Sequence, residues 1–301
     1  MQEAVFSSTG FRIPAARDHA AGSRHWAEHA AASLFFTFFP ADCRICGEPL
    51  IRISRLPVCD VCLDSIHPIV GGLCTVCGER IVSVYVAHDP SGEIRCGLCR
   101  RVDPPYVRAL AYGSYESGLR DLIHMLKYQQ VRPAANVLGR MLAEVIAELE
   151  PAWAPQPVVV VPVPLFPRKL QVRGFNQAEV IARAALKLAP VQGRYSLATN
   201  VLERARDTQS QIGLTRHQRR ENLRGAFRVK DREKLSGREV LLVDDVFTTG
   251  TTASECARVL RRAGAARVWV ATVARTLKLE VQGVQIEPQE DDKSLTMAAH
   301  G

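Results

Sequence analysis

The sequence predicts an α/β fold, with an open parallel β-sheet and flanking helices preceded by a small cysteine-rich module. Three runs of mainly β-branched residues are continuous rather than alternating, which is typical of parallel strands covered on both faces. They are residues 158–161, 240–243 and 268–273. A further strand is predicted at 107–113, and helices at 136–149, 176–188 and 251–263. Because strands and helices alternate, we expect crossover helices between parallel strands.

The composition is that of a soluble globular protein. The 301 residues are 47% hydrophobic and 23% charged, enough for one large core and a small module. A formal net charge of +8 fits anionic partners such as phosphates or nucleic acid, and equally a solvated basic surface. The apolar stretch 30–39 is too short to cross a bilayer and lies too far along the chain for a secretion signal. We therefore expect a cytoplasmic protein without membrane insertion.

Eight of the nine cysteines form four C-x-x-C pairs: Cys43/Cys46, Cys59/Cys62, Cys74/Cys77 and Cys96/Cys99. Two such pairs complete a tetrahedral zinc site, and the gaps of twelve and eighteen residues between neighbouring pairs suit zinc ribbons. The alternatives are disulfides and redox chemistry. A cytoplasmic protein would rarely keep disulfides, and redox chemistry would not need four C-x-x-C pairs. We expect two structural zinc ions in two linear sites. Spacing alone leaves a cross-braced pairing open.

The cysteine-rich segment carries three weaker expectations. Gly47, Gly78 and Gly97 lie beside the pairs and are expected to adopt the positive φ that such turns need. Because residues 34–100 show little helical pattern, we expect something other than a hydrophobic core to hold this segment. Cys256 stands alone on a predicted helix and is expected to be a small core residue rather than a reactive thiol.

The most specific motif is the stretch 240–252, which reads VLLVDDVFTTGTT. A buried strand ends in Asp244 and Asp245, and a small-polar turn then opens a helix. Hydroxyls and backbone N–H groups of this turn would form an anion-binding nest suited to a 5′-phosphate. The nest consists of Thr248, Thr249, Gly250, Thr251 and Thr252. The two carboxylates are expected to be exposed, to accept hydrogen bonds from sugar hydroxyls and to favour Mg²⁺ nearby, so that their removal leaves the fold intact.

This motif resembles the diphosphate-sugar motif of the type I phosphoribosyltransferases. The resemblance implies that Asp244 and Asp245 bind the ribose hydroxyls of 5-phosphoribosyl diphosphate, with Mg²⁺, while the nest holds the 5′-phosphate. In that family a pyrophosphate loop follows the first buried strand, a place that Val163, Pro164 and Leu165 occupy here. The cations that come next, and that could stabilise the leaving group, are Arg168, Lys169 and Arg173.

A strongly basic stretch, residues 204–230, contains eight Lys or Arg residues against two acidic ones and is not expected to pack as core. In type I phosphoribosyltransferases a mobile loop before the motif strand closes over the bound ligand, and this stretch has the matching position and charge. Arg204, Arg206 and Arg219 are its candidate catalytic cations. A purely solvated loop is the alternative.

Further short motifs extend the resemblance to roughly residues 34–276. They are HMLKY at 124–128, RGFNQ at 173–177, Thr208-Gln209, and Arg219 with Asn222. Together with the cysteine pairs they are similar to the ComF family of competence proteins. The resemblance implies a phosphoribosyltransferase domain behind a cysteine-rich module. It also implies a role in natural transformation on the cytoplasmic side, with single-stranded DNA and competence-machinery proteins as candidate partners.

One departure limits the mechanism that this resemblance implies. Thr248 stands where enzymes of the hypoxanthine-guanine type place a proton-transferring aspartate, and its hydroxyl cannot serve as that base near neutral pH. The pattern is closer to orotate-type enzymes, whose acid/base help comes from the mobile loop. The alternative function is a non-catalytic adaptor for single-stranded nucleic acid, although an aromatic content of 6% offers few stacking platforms. A zinc hydrolase is disfavoured, because no ligand set leaves a vacancy.

The predicted organisation has four parts. A disordered N-terminal tail covers residues 1–30, a double zinc-ribbon domain 31–103, a phosphoribosyltransferase domain 104–276, and a disordered C-terminal tail 277–301.

Overall fold

The computed structural model describes residues 41–50, 54–81, 93–189, 193–207 and 216–277. The two predicted tails fall outside these ranges apart from residue 277, as do Thr208 and Gln209.

The described residues form seven strands: β1 Ala109–Ser114, β2 Val158–Pro162, β3 Tyr195–Leu197, β4 Leu202–Arg204, β5 Phe227–Val229, β6 Glu239–Phe247 and β7 Arg267–Arg275. Five of them form one parallel sheet in the order β1-β7-β6-β2-β3. Every residue of β2 is buried, and so is every residue of β7 after the first. Continuous apolar runs thus form strands that are covered on both faces, and the predicted open parallel sheet is confirmed.

The helices are α1 Asp60–Asp64, α2 Ser117–Tyr128, α3 Ala134–Leu149, α4 Pro167–Arg173, α5 Gln177–Leu186, α6 Arg216–Leu223 and α7 Thr251–Arg262, with a 3₁₀ turn at Glu150–Ala152. Helices α2, α3 and α5 pack on one face of the sheet, in the core that contains Leu241 and Val243. Helix α7 packs on the other face, in the core that contains Val240 and Leu242. Successive residues of β6 therefore point to opposite cores. Cys256 on α7 is fully buried, and burial raises its pKa well above the ordinary value, which confirms its expected core role.

The chain reverses its direction across the sheet between β2 and β6. From β2 it passes to the neighbouring β3, whereas from β6 it passes to β7 on the opposite side. Such a switch opens a crevice outside the carboxyl ends of the two strands, where open α/β sheets bind ligands. The backbone N–H of Val163 donates to the carbonyl of Val243 at 2.8 Å, which holds the loop after β2 beside the acidic pair.

The basic stretch 204–230 is more regular than its charge suggests. Strands β4 and β5 pair antiparallel, and α6 lies between them in the chain. Leu223 and Ala226 are fully buried and Phe227 nearly so, in the core shared with α7. The expectation that this stretch does not pack as core is therefore wrong for these three residues. The sequence interpretation weighed the charges and overlooked the few apolar side chains between them.

The cysteine-rich segment is part of the two main cores. Leu56 and Ile66 pack in the same cluster as α2 and α3, while Val76 packs with the residues around α7. Backbone hydrogen bonds of 2.8 Å join Ala109 to Val76 and Ile69 to Tyr112, both across the predicted boundary at 103/104. The expectation that something other than a hydrophobic core holds this segment is therefore incomplete. Apolar contacts with the larger domain contribute as well. The boundary itself stays a prediction.

Candidate functional site

The eight paired cysteines gather into two clusters of four thiols. They are Cys43, Cys46, Cys59 and Cys62 in the first cluster, and Cys74, Cys77, Cys96 and Cys99 in the second. Within each cluster all Sγ atoms lie within 4.8 Å of one another, so neighbouring pairs combine in the linear order. The thiols of Cys46 and Cys59 are 3.7 Å apart, as are those of Cys77 and Cys96. A zinc tetrahedron with bonds of about 2.3 Å has edges of about 3.8 Å, so each cluster could hold one zinc ion.

The first knuckles of the two clusters repeat one local geometry. The N–H groups of Cys43 and Cys74 donate to the carbonyls of Glu48 and Glu79, each at 2.8 Å. Gly47 and Gly78 turn the chain with φ of 79° and 68°, as expected of residues that follow the second cysteine of a knuckle. The expectation for Gly97 is wrong, because its φ is not positive. Gly97 follows the first cysteine of its pair, where this turn does not need a left-handed residue.

The two acidic residues of the motif point in opposite directions. They lie inside β6, which continues to Phe247, rather than past its end. Asp245 is 3% exposed, forms an ion pair with Lys127 of α2, and accepts a 3.1 Å hydrogen bond from the amide of Gln177. Burial alone would raise the pKa of Asp245, but the Lys127 ammonium and the hydrogen bonds hold it below the ordinary value. The expectation of two exposed carboxylates is therefore wrong for Asp245, because β alternation turns it under α2 and α5.

Asp244 faces the α7 side and is only partly buried. One of its oxygens accepts a hydrogen bond of 2.9 Å from the backbone N–H of Asp245. Burial raises the pKa of the Asp244 carboxyl well above its ordinary range, and the neighbouring negative charge of Asp245 raises it further. A cation or hydrogen-bond donor that arrives beside Asp244 would therefore favour its ionised form.

The threonine and glycine turn stands at the N-terminus of α7, as predicted. Gly250 is the N-cap with φ of 72°, a conformation that favours glycine. Thr249 and Thr251 join their hydroxyls at 2.8 Å, and Thr248 is exposed. A small cavity touches Asp244, Thr248, Gly250 and Thr252, but Thr249 and Thr251 do not line it. The structure thus brings the partly buried carboxylate and the helix N-terminus to one place.

The loop after β2 and the helix that follows it lie at the β2/β6 crevice. In the loop after β2, Val163 is buried, and Pro164 and Leu165 are half-buried. Arg168 is exposed on α4, whereas Arg173 is half-buried and donates from Nη1 to Oε1 of Gln177. The Arg173 guanidinium also lies 5.6 Å from the centre of the Tyr128 ring. Arg173 is thus connected to Asp245 through Gln177.

The three candidate loop cations have different surroundings. Arg219 on α6 donates from Nη1 to the hydroxyl of Thr248 at 3.3 Å, which places it at the nest. Arg204 stacks 5.6 Å from the Phe227 ring centre, and burial lowers the pKa of its guanidinium. Arg206 instead donates two 2.8 Å hydrogen bonds to the backbone carbonyls of residues 222 and 224, which flank the C-terminal residue of α6. In this structure Arg206 therefore stabilises the end of a helix.

Two residues of the site, Lys127 and Gln177, were missed as functional residues in the sequence interpretation. Both belong to short motifs that carried the family resemblance, HMLKY and RGFNQ, but neither was assigned a role. The sequence did contain one indication of a role for Lys127, because it is a basic residue next to the apolar side of a helix that packs on the sheet. Its ion pair with Asp245 depends on tertiary packing that spacing cannot show.

Comparisons with known proteins place this site in a family. The sequence profile of the phosphoribosyl transferase domain matches residues 128–296, more than half of the chain. "DNA utilization protein YhgH" of Salmonella typhi is 34% identical over 239 residues, covering 79% of this chain and 98% of that protein. "Competence protein F" of Haemophilus influenzae is 29% identical over 224 residues, covering 72% of this chain and 96% of that protein.

The matches among solved structures are more distant. A phosphoribosylpyrophosphate synthetase from Mycobacterium smegmatis superposes with a TM-score of 0.29 and 21% identity, over 46% of this chain and 34% of its own. A hypoxanthine phosphoribosyltransferase from Staphylococcus aureus does so with a TM-score of 0.29 and 14% identity, over 46% of this chain and 62% of its own. The chain thus spans about a third of the first and less than two thirds of the second.

No helix among the described residues combines the length and apolarity that crossing a bilayer requires. The parallel sheet, the cysteine clusters and the family profile agree with one another, and the relatives align over nearly their whole length. The chain belongs to the phosphoribosyl transferase domain family and, within it, to the ComF family of competence proteins.

Proposed function

We propose that this protein binds 5-phosphoribosyl diphosphate together with Mg²⁺ in the cytoplasm and transfers the phosphoribosyl group to an acceptor. The single observation that carries the proposal is the small cavity that Asp244 shares with Thr248, Gly250 and Thr252. A carboxylate for sugar hydroxyls and an anion nest for a phosphate stand side by side there. The family profile over residues 128–296 supports the same assignment.

Each part of the ligand has a matching group in the chain. The 5′-phosphate would bind the hydroxyls and N–H groups at the start of α7. The ribose hydroxyls would bind Asp244. The buried Asp245 would not contact the ligand but would support the strand through its ion pair with Lys127. The pyrophosphate would lie on the loop 163–165, with Arg168 at its rim.

The donor set fits Mg²⁺, because carboxylate oxygens are the ligands this ion prefers. Bound Mg²⁺ would neutralise charge on the diphosphate. The chain would hold the ion through Asp244, whose pKa stands high in the free protein and would fall as the cation arrives. Competition between Mg²⁺ and a proton for this carboxyl makes metal binding weaker at low pH.

The proposed reaction breaks the bond between the ribose C1 and the pyrophosphate oxygen, which keeps the electron pair, and joins C1 to an acceptor nucleophile. Positioning and charge neutralisation would supply most of the rate. Arg219 stands at the nest through Thr248 and could stabilise developing negative charge. Arg204, held against the Phe227 ring, is the second candidate cation for this role. Arg206 would contribute indirectly, by holding the end of α6.

We assign one structural zinc ion to each cysteine cluster. Four thiolates close the coordination sphere, so the metals would stabilise the knuckles and take no part in the transfer.

Calorimetry with 5-phosphoribosyl diphosphate, with and without Mg²⁺, tests the proposed function. We expect Mg²⁺-dependent binding in the wild type, loss of binding in D244A, and little change in D231A, which removes a half-buried carboxylate that pairs with Lys234 on a loop. Release of pyrophosphate on adding candidate nucleobases would establish turnover. Absence of binding at millimolar ligand would refute the assignment.

A second candidate function is a non-catalytic adaptor for single-stranded nucleic acid. The observations that favour it are the net charge of +8 and the names of two relatives, which refer to DNA utilization and competence. Titration with single-stranded DNA at several salt concentrations separates the two candidates. Steeply salt-dependent DNA binding without pyrophosphate release would favour the adaptor.

A further inference from the structure

Arg275, the last residue of β7, is 2% exposed and holds the second cysteine cluster directly. Its Nη1 donates to the backbone carbonyl of Cys77, and its Nη2 donates to Oε2 of Glu79 at 2.7 Å. Cys77 also supplies a thiol to the second cluster. Because a buried guanidinium needs its hydrogen bonds and its counter-charge satisfied, the position of this arginine depends on the knuckle.

The same guanidinium contacts Phe247, the last residue of β6. Its Cζ lies 5.2 Å from the centre of the Phe247 ring, and the two residues are partners in the β6–β7 register. On another side, the ring of Tyr106 meets Phe247 edge-on, with centroids 6.3 Å apart. The Phe247 ring is therefore held by two neighbours, one of which depends on the second knuckle.

Phe247 in turn sets the shape of the phosphate nest. A Cβ built on Gly250 would lie 2.6 Å from Cζ of Phe247, so the ring fills the space directly beside the N-cap of α7. The turn that carries Thr248 begins directly after Phe247, where β6 ends. A shift of this ring would change both the start of the turn and the room beside its glycine.

We propose that Arg275 is a positioning residue that couples the second cysteine cluster to the phosphate nest, so that metal in this cluster strengthens sugar-phosphate binding. The inference rests on the proposed function for its ligand. Without metal, the four thiols no longer hold the knuckle, the Cys77 carbonyl leaves the guanidinium, and Phe247 loses one of its supports. Couplings between sites are typically 5- to 150-fold in affinity, and we expect a value of about tenfold here.

Coupling of this kind is reciprocal. If metal in the second cluster strengthens sugar-diphosphate binding, the sugar diphosphate must strengthen metal binding in the second cluster by the same factor. A residue with a purely structural role would not transmit this effect. Competition with a zinc chelator, with and without ligand, therefore measures the coupling from its other end.

Arg194 offers a matched control for substitution of Arg275. It too is largely enclosed, donates to a backbone carbonyl, that of Ala154, at 3.0 Å, and forms an ion pair with Glu150. Its guanidinium stacks 6.0 Å from the centre of the Trp153 ring. Arg194 directly precedes β3, at the amino edge of the sheet, away from the nest. R194M therefore removes similar contacts at a position that is remote from the phosphate nest.

The test compares R275M, R275K and R194M as zinc-loaded proteins. Calorimetry with 5-phosphoribosyl diphosphate and Mg²⁺ should show about tenfold weaker binding in R275M, partial recovery in R275K, and no change in R194M. Backbone hydrogen exchange at residues 248–252 should be faster in R275M. Equal effects of R275M and R194M, or unchanged affinity and exchange in R275M, would overturn the proposal.

A second variant keeps the proposal testable if R275M does not fold. C96S removes a thiol of the second cluster without touching Arg275. It should speed exchange at 248–252, and R275K should speed it to a smaller extent. The C96S/R275K pair should be markedly non-additive, because both act through one connection. Additive effects would overturn the coupling. If the wild type fails to bind the sugar diphosphate, the proposed function fails, yet exchange at the nest still reports whether it responds to the second cluster.

Discussion

Replacing Lys127 with Met tests whether the buried ion pair supports the site. Lys127 and Asp245 have side chains that are 16% and 5% exposed, so water reaches the pair poorly. Met retains most of the apolar length of the lysine but removes the cation beside the Asp245 carboxylate, which keeps its hydrogen bond from the amide of Gln177. An uncompensated buried charge is therefore the main consequence of K127M.

Removing one partner of a buried pair typically costs about 3–5 kcal/mol. For a domain of this size that corresponds to a fall in Tm of roughly 10 °C. The double variant K127M/D245N should recover most of the loss, because a neutral amide removes the charge and keeps an oxygen that can accept from Gln177. The pKa of Asp245 is lower in the folded wild type than its value of 3.8 in the unfolded chain. The stability that Asp245 contributes is therefore present above pH 3.8 and is lost as pH falls through the folded-state pKa. In K127M the depression is gone, and the deficit relative to wild type should shrink in acid.

Thermal and urea denaturation at pH 7 and at pH 4 measure these differences. K187M, at an exposed position after α5, serves as the control and should change stability by less than about 0.5 kcal/mol. A K127M protein as stable as wild type, or a double variant no more stable than K127M, would show that the ion pair does not support the fold.

Three further predictions concern the acidic pair, the nest and the metals. D244N should be more stable than wild type at pH 7 but not near pH 3. The pKa of Asp244 in the folded protein lies above the unfolded value of 3.8, so the stability that this carboxyl contributes is lost as pH rises through the folded pKa. Calorimetry should show weaker sugar-diphosphate binding in the same variant. In urea denaturation, G250A should lower the free energy of unfolding by about 1–2 kcal/mol because of the positive φ, and further because the new Cβ contacts Phe247. G237A is the control: residue 237 has φ of 67° and open space around it, so the loss should be about 1–2 kcal/mol alone. Metal analysis should find about two zinc ions per chain, and C59S or C96S about one; a chain without zinc would contradict the assignment of both clusters.

Several elements of the fold follow from local pattern. The buried runs around Val160, Leu242 and Val270 predicted three central parallel strands, because strands covered on both faces need apolar residues at every position. The C-x-x-C spacing predicted both cysteine clusters for a similar reason, since ligand geometry acts over a few residues. Helix α2 was overlooked, although Leu119, Leu122 and Leu126 recur at helical spacing on its buried side. The short strands β4 and β5 were not predicted, because each has only three residues and their pairing joins distant parts of the chain.

The candidate site divides in the same way. The order of residues in 240–252 was enough to predict a carboxylate beside an anion nest, because a strand, a turn and a helix N-terminus are consecutive in the chain. Only the tertiary structure separated Asp244 from Asp245, since each acidic side chain takes its environment from helices and loops that lie far away in the sequence. The contacts of Lys127 with Asp245 and of Arg275 with Cys77 span about 120 and 200 residues, and no local pattern encodes them. The sequence alone thus determined which chemical groups are present, whereas long-range packing decided which of them line the candidate site and which hold one another.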